Sequence, residues 1–285
     1  MMEVTQALEA LGIEAREIVP IGNHELKRHQ VYRLAAPGGE CVLKLYCYPL
    51  VHEIEARALA RAKAHGVAVP RVLQSGSLPD GGGYLVMTRM EGTPLSTQGA
   101  ADVAYHEMGG QIGRLHATRT PIQAWYGRWL AQRSVRQMEK IRRGGMPDAD
   151  KAILERAHAK ELSLLSGMNC SKVAFGLCHG DFDVRNVLAV DGHVTGVIDF
   201  EHANYGSVVR DLAKIYRKTL AHPENSALRA AFEAGYRKHA LLDPSFLNGM
   251  PVYWMDDCIE ACSWAYTRAN EYYRDSLRFL QTHVL

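Results

Sequence analysis

Cysteine, net charge and long apolar runs are all scarce in this sequence, and each shortage removes a class of protein. Six cysteines, at positions 41, 47, 170, 178, 258 and 262 of 285, are too sparse and irregular for a disulfide framework. A reducing cytoplasm is the expected compartment. Cys258 and Cys262 stand one helical turn apart, but no second Cys/His pair accompanies them, so packed thiols are expected rather than zinc ligands. No stretch approaches 18 uninterrupted apolar residues, and the opening MMEVTQALEA has neither the basic start nor the apolar run of an export signal. No membrane partner is expected. Lys plus Arg number 33 and Asp plus Glu 31, and the formal net charge of +2 argues against a nucleic-acid partner and against an acidic solvating tail. What is left is an ordinary globular composition, 47% apolar and 22% charged, without internal repeats and long enough for two unequal units.

What the sequence does contain changes character along the chain. Up to about residue 95 the pattern is mostly strand-like, with turns expected at Pro37-Gly38-Gly39 and Pro79-Asp80-Gly81-Gly82-Gly83. In Glu40 to Tyr46, period-2 alternation puts Cys41, Leu43 and Leu45 on one face and Val42, Lys44 and Tyr46 on the other. Residues 52–65 carry helix chemistry that Gly66 stops, and Tyr84 to Thr88 returns to strand. A short linker, Arg89 to Pro94, then leads into a mainly helical remainder. The domain boundary is placed there, giving units 1–92 and 93–285. Helical stripes recur at Ala104, Met108, Ile112 and Leu115, and at Val252, Met255, Ile259 and Cys262. Within this helical part, Asn186 to Val190 and His193 to Ile198 are two strand runs joined by Asp191-Gly192, a strong hairpin signal.

The ends of that hairpin carry polar chemistry. Cys178-His179-Gly180-Asp181-Phe182-Asp183-Val184-Arg185-Asn186 precedes it and Asp199-Phe200-Glu201 follows it. Two carboxylates and an amide gathered at one end of a rigid ribbon form an oxygen donor set of the kind that binds Mg²⁺ together with phosphates. His-x-Asp-x-x-x-x-Asn, a hairpin and Asp-Phe resemble the catalytic loop and metal-binding Asp of protein kinases. With Gly180 in the middle of His-Gly-Asp, the chain resembles the aminoglycoside phosphotransferase and choline kinase family of small-molecule kinases, and the likeness runs over most of its length.

The resemblance implies an α+β, bilobal, protein-kinase-like fold with a small β-rich N-lobe and a larger, mainly helical C-lobe. It implies ATP, with GTP as an alternative, and Mg²⁺ as cofactors, and transfer of the γ-phosphoryl group to a hydroxyl of a small molecule. Asp181 would accept or orient the proton of that hydroxyl, and Asn186 and Asp199 would hold metal. Lys44 would neutralise the α- and β-phosphates, fixed by Glu55, which aligns better than Glu53. Thr88 and Met90 would meet the adenine through main-chain atoms. His179 looks architectural, bonding backbone near Asp199, and Asp211 fits a helix N-cap or a brace for the loop. The sequence departs from the kinase pattern in the phosphate-covering loop, where residues 21–30 hold the single glycine Gly22.

The acceptor is less determined. Asp256, Asp257 and Glu260, on a helix expected from about Pro251, are candidates for a carboxylate wall facing an amine-bearing acceptor, and Asp183 for a further substrate contact. Against a polycation, residues 128–143 hold six Arg and Lys and only Glu139 as an acid. Trp254, Trp264, Tyr266, Tyr272 and Tyr273 offer either an aromatic cage, as in choline and ethanolamine kinases, or core. A metabolite kinase of choline, ethanolamine or homoserine type is the alternative within the class, and a catalytically weak nucleotide-binding protein the alternative outside it. A protein kinase is disfavoured, because no Ala-Pro-Glu element follows Asp199. Nothing in the residues marks an oligomeric state.

Overall fold

The structure is a computed structural model that describes residues 3–22, 24, 29–97, 99, 101–118, 120, 125–167, 174–267 and 270–284. In chain order the elements are α1 (Val4–Leu11), β1 (Glu17–Ile21), β2 (His29–Ala36), β3 (Gly39–Tyr46), α2 (Val51–Ala64), β4 (Val72–Ser77), β5 (Gly83–Thr88), β6 (Thr93–Pro94) and α3 (Asp102–His116). There follow α4 (Tyr126–Arg143), α5 (Asp148–Ser166), β7 (Phe175–Cys178), β8 (Val187–Val190), β9 (His193–Val197), β10 (Asn204–Ser207), α6 (Val209–Ile215), α7 (Ser226–Arg237), α8 (Ser245–Ala265) and α9 (Asn270–His283). Among the described residues no helix is long and apolar enough to cross a membrane.

Five antiparallel strands make one sheet in the order β1-β2-β3-β5-β4. The glycine-rich clusters turn the chain between β2 and β3 and between β4 and β5, where Leu78 and Gly82 close the second turn with a 2.7 Å hydrogen bond. Alternation along β3 divides its side chains as its sequence pattern requires. Cys41, Leu43 and Leu45 join Tyr32, Leu34, Tyr84 and Val86 in a core that α1 covers with Ala7 and Leu8. Lys44 and Tyr46 therefore occupy the opposite face. The helix α1 is an addition to the strand-like reading of this region, its apolar residues being those that close this core.

The ribbon β8–β9 turns through Asp191 and Gly192, whose φ angles of 50° and 79° are the left-handed pair that a two-residue hairpin turn demands. β6 pairs with β8 on its other edge, and β7 pairs with β10. Helices α3 and α7 cross closely because Gly109 and Gly235 have no side chain: a Cβ on either would overlap the carbonyl oxygen of Phe232 or His106 on the facing helix.

The chain packs into two compact units, Met1–Thr118 with Cys178–Asn204 and Glu224–Leu241, and Arg119–Leu177 with Tyr205–Pro223 and Leu242–Leu285. This differs from the expected division at 92/93. Backbone and side-chain bonds explain the difference, since Val197 donates to the Ala68 carbonyl at 2.8 Å and Ala68 donates to Gln111 Oε1 at 2.9 Å, which joins the ribbon and α3 to the chain leaving α2. In the second unit α4, α5, α8 and α9 share a core that includes Met138, Leu154, Ile259 and Leu280. Cys258 and Cys262 lie fully buried in it, and burial pushes the Cys258 thiol up to about 12. α8 begins at Ser245 instead of near Pro251, which lies inside it. Asp211 is a buried residue of the first turn of α6 and not its N-cap, which is Val208.

Candidate active site

The first unit brings together residues from β3, α2 and the turn after β9. Lys44 is only 3% exposed, and its Nζ lies 2.9 Å from Glu55 Oε2, 2.5 Å from Asp199 Oδ1 and 3.1 Å from Glu201 Oε2. Burial works to discharge this ammonium, but Asp199, Glu55 and the other acidic neighbours outweigh it and hold its pKa well above the ordinary lysine value. Glu55 is tied on three sides. Its Oε2 also accepts from the Tyr46 hydroxyl at 2.6 Å, and its Oε1 accepts from the Phe200 amide at 3.1 Å. The helix α2 is thereby fastened to the turn that carries Asp199. Glu53, two residues earlier, pairs instead with Arg57 on the exposed side of the helix.

One ammonium facing three carboxylates leaves a surplus of negative charge. Asp199 is the most open of the three, 29% exposed against 2% and 7% for Glu55 and Glu201. It has φ of 68°, an uncommon conformation for a residue with a side chain. His29, Asp199 and Glu201 each offer a ligand atom, all within 4.8 Å of one another, so this group could hold a cation.

His179 organises the loop before the ribbon. The Asp181 amide donates to its Nδ1 at 3.2 Å, so Nε2 carries the proton and donates to the Ile198 carbonyl at 2.9 Å, one residue before Asp199. Its ring also packs on Phe200 at 4.4 Å between centroids. Gly180 has φ of 84°, and a Cβ there would overlap the His202 carbonyl oxygen. Both facts require glycine between His179 and Asp181. Asn186 donates its side-chain amide to the Asp181 carbonyl at 2.9 Å and to Asp181 Oδ2 at 3.3 Å, and its own carbonyl accepts from Ile198 at 2.9 Å. Asp181, Asn186 and Asp199 thus stand at one end of the ribbon. The side-chain carbonyl of Asn186 and the Asp199 carboxylate are hard oxygen donors that fit a magnesium ion.

The remaining expected residues make the following contacts. The Thr88 amide donates to the Arg71 carbonyl at 2.9 Å, and Thr88 Oγ1 accepts from the Arg71 amide at 2.9 Å, so that amide is already engaged with the chain entering β4. Met90 lays its side chain against Gly196 of the ribbon. Gly22 ends β1 with φ of 79°, and the neighbouring Asn23 and Glu25 to Arg28 lie outside the described residues. Asp183 is 3% exposed, accepts from the Arg185 amide at 3.3 Å and pairs with its guanidinium at 3.0 Å. These contacts make it the cap of the short turn Val184–Asn186 rather than a group presented to substrate.

The carboxylates of α8, in the second unit, are paired internally. Asp256 is 1% exposed and bonded to Arg133, which corrects its reading as a substrate contact. Burial, with Glu161 and Glu260 nearby, outweighs Arg133 and Arg210 and pushes its carboxyl up to about 7. Glu260 pairs with Arg133 and Arg210, and Asp257 with Arg217 and Lys214. The Arg-rich α4 therefore sends Arg133 inward to α8. The suggested aromatic cage is divided among separate contacts: Trp254 bonds the Ala213 carbonyl, Trp264 packs on Tyr272, and Tyr266 packs on Tyr273.

Two members of the Lys44 cluster, Glu201 and His29, lie outside the set expected from the sequence. Glu201 reaches Lys44, His29 Nδ1 at 3.0 Å and His202 Nε2 at 3.3 Å, and these partners, against the penalty of burial, hold its carboxyl far below the usual range. An acid two positions beyond the expected metal residue was a usable signal. His29, at the start of β2, offered none.

A β-sheet lysine locked to a helix glutamate, and an Asp-bearing loop and ribbon beside it, define the protein-kinase-like fold of small-molecule phosphotransferases. The chain belongs to the phosphotransferase enzyme family APH, whose model matches residues 23–247, and it is a phosphotransferase acting on hydroxyl groups of small molecules. No curated protein sequence matches it. Among solved structures it is similar to the amicoumacin kinase hAmiN in complex with AMP-PNP, Ca²⁺ and Ami, at 16% identity over 98% of this chain and 92% of that one, with a TM-score of 0.74. It is similar to a thermostable mutant of aminoglycoside phosphotransferase APH(4)-Ia with ADP and hygromycin B, at 15% identity, 99% and 98% coverage and a TM-score of 0.73. It also resembles spectinomycin phosphotransferase APH(9)-Ia with ADP and spectinomycin, at 15% identity, 98% and 94% coverage and a TM-score of 0.68.

Proposed function

We propose that the enzyme transfers the γ-phosphoryl group of ATP to a hydroxyl of a small, amine-bearing molecule, with Asp181 as the group that receives or orients the hydroxyl proton. The observation that carries this reading is the Lys44–Glu55–Asp199 contact in the same unit as the Asp181–Asn186 pair. Lys44 binds phosphate oxygens of the nucleotide, and Glu55 keeps its ammonium in place. Asn186 and Asp199 hold magnesium, which when bound screens the charge of the transferring phosphates. Asn186 also orients Asp181 through its amide. The sheet and the ribbon form the nucleotide side of the enzyme, the helical remainder the acceptor side, and the site of action is the cytoplasm.

The acceptor carries few positive charges. Relatives of known structure hold hydroxylated antibiotics, among them hygromycin B and spectinomycin. In this chain Asp256, Asp257 and Glu260 are each matched by the protein's own arginines and lysine, which leaves less acidic surface for a polycation.

Nucleoside-diphosphate release is to be measured against aminoglycosides, hygromycin B, spectinomycin, amicoumacin, choline, ethanolamine, homoserine and sugars. Turnover is expected with an acceptor bearing one or two amines. A preference for the most highly charged aminoglycosides would overturn the charge argument. With the acceptor found, Asp181→Ala lowers turnover at least tenfold, about 1.4 kcal/mol of barrier, with nucleotide affinity kept. A smaller loss contradicts the role given to Asp181.

A further inference from the structure

A cavity of about 390 Å³ opens in the first unit between α3, β9 and the end of α7. It shares no residue with the Lys44 cluster. Its volume falls in the range of small-molecule sites, and its lining is dominated by nitrogen groups: His106, Arg114, His193, Lys238 and His239, with Glu107 as the acid. Glu107 is already engaged, since its Oε1 meets His193 Nδ1 at 3.0 Å and its Oε2 accepts from the Val194 amide at 2.7 Å. Lys238 donates to His106 Nε2 at 2.7 Å, which fixes the other ring nitrogen as donor to the Ala231 carbonyl. No carboxylate pairs with Arg114 or Lys238 among the described residues.

The floor of the cavity is Gly110. An ideal Cβ there would lie 3.8 Å from His239 Nε2, 3.9 Å from Arg114 Nη1 and 3.9 Å from the Gly235 carbonyl oxygen. Two side-chain nitrogens, one from α3 and one from the segment after α7, therefore converge on a space that the glycine leaves open. Arg114 and Lys238 give the space a positive charge, and after the effect of burial the same two cations lower the His239 pKa. In a chain where many other arginines are paired with acids, the half-buried Arg114 and the exposed Lys238, two cations without a carboxylate partner among the described residues and beside the exposed His239 ring, call for an anion from outside.

We propose that Arg114, Lys238 and His239, above the floor of Gly110, form a second ligand site that takes a small organic phosphate, its phosphate over Gly110 and its organic part in the rest of the cavity. The site goes beyond the phosphotransfer reading and does not depend on it. Gln111, in the same wall, receives the Ala68 amide, so the site adjoins the segment that joins α2 to β4.

Titration calorimetry at fixed ionic strength tests this with glycerol 3-phosphate, and with inorganic phosphate and citrate as separate arms. The protein used is the Lys44→Met variant, in which the proposed nucleotide site is disabled, beside the wild-type chain. Binding of glycerol 3-phosphate is expected in both. Arg114→Gln weakens it at least tenfold, and Gly110→Ala, whose methyl makes ordinary contacts in the empty protein, does the same without lowering the thermal midpoint. Equal affinity for inorganic phosphate and the ester would overturn the organic part of the ligand, and tighter binding of citrate would overturn phosphate as its chemistry. Absence of glycerol 3-phosphate binding at 10 millimolar (~2.7 kcal/mol or less of affinity), loss in Lys44→Met alone, or equal binding in the Arg114 and Gly110 variants would overturn the site itself.

Discussion

Gly180 is the residue on which the loop geometry turns. Its φ of 84° and the His202 carbonyl beside it exclude a side chain, while His179 and Asp181 on either side hold the loop to the ribbon. Gly180→Ala is expected to cost at least about 2 kcal/mol, from the left-handed backbone and the overlap together. A urea midpoint equal to wild type would contradict this. The same scale shows what the sequence could disclose. Lys44, Glu55, Asp181, Asn186 and Asp199 were legible because their order and spacing follow from a strand, a helix and a hairpin. His29 was not, because its contact with Glu201 depends on how β2 lies over a turn some 170 residues later. Asp256 departs from expectation for a related reason: periodicity puts it on a helix edge, but only packing decides whether that edge faces water or Arg133.

At the scale of elements, the pairing of α4 with α8 has a consequence for pH. Asp256 Oδ1 is held by Arg133, whereas its Oδ2 and Glu161 Oε1 are buried without a hydrogen-bond partner among the described residues. Its carboxyl is raised from 3.8 to about 7 in the folded chain. Between those values the folded state keeps a proton that the unfolded chain has released, so stability from this group is lost as pH rises from about 4 to 7. The loss is at most about 4 kcal/mol. Asp256→Asn, which mimics the protonated acid, should flatten this part of the profile when denaturation free energies are compared at pH 4.5 and 7.5. An unchanged slope would remove the proton from Oδ2. The hairpin β8–β9 was readable from Asp191-Gly192 alone, while α1 was not, since a short amphipathic helix needs the sheet beneath it to be stable.

For the whole molecule, the two packing units divide differently from the two lobes implied by the family likeness. Sheet, α2, α3 and the ribbon form one unit, and the proposed phosphate and metal residues all lie within it. Binding of nucleotide with magnesium should therefore slow local hydrogen exchange first in β3, α2 and the β8–β9 ribbon. At a ligand concentration of 100 Kd the added stability is about 2.7 kcal/mol. Protection that begins instead in α4, α5 and α9 would move the ligand to the other unit. The 92/93 boundary follows from a change in composition, and such a change does not reveal that residues 178–204 return to pack with the sheet.

The proposed function requires that Asp199 join a metal ion to the nucleotide held by Lys44. Its direct test is calorimetric titration of ATP with and without Mg²⁺, on the wild-type chain and on Asp199→Ala. Magnesium is expected to tighten ATP binding to the wild type at least tenfold, about 1.4 kcal/mol, and to have no such effect on the variant. The same metal-linked gain in both proteins would contradict the account.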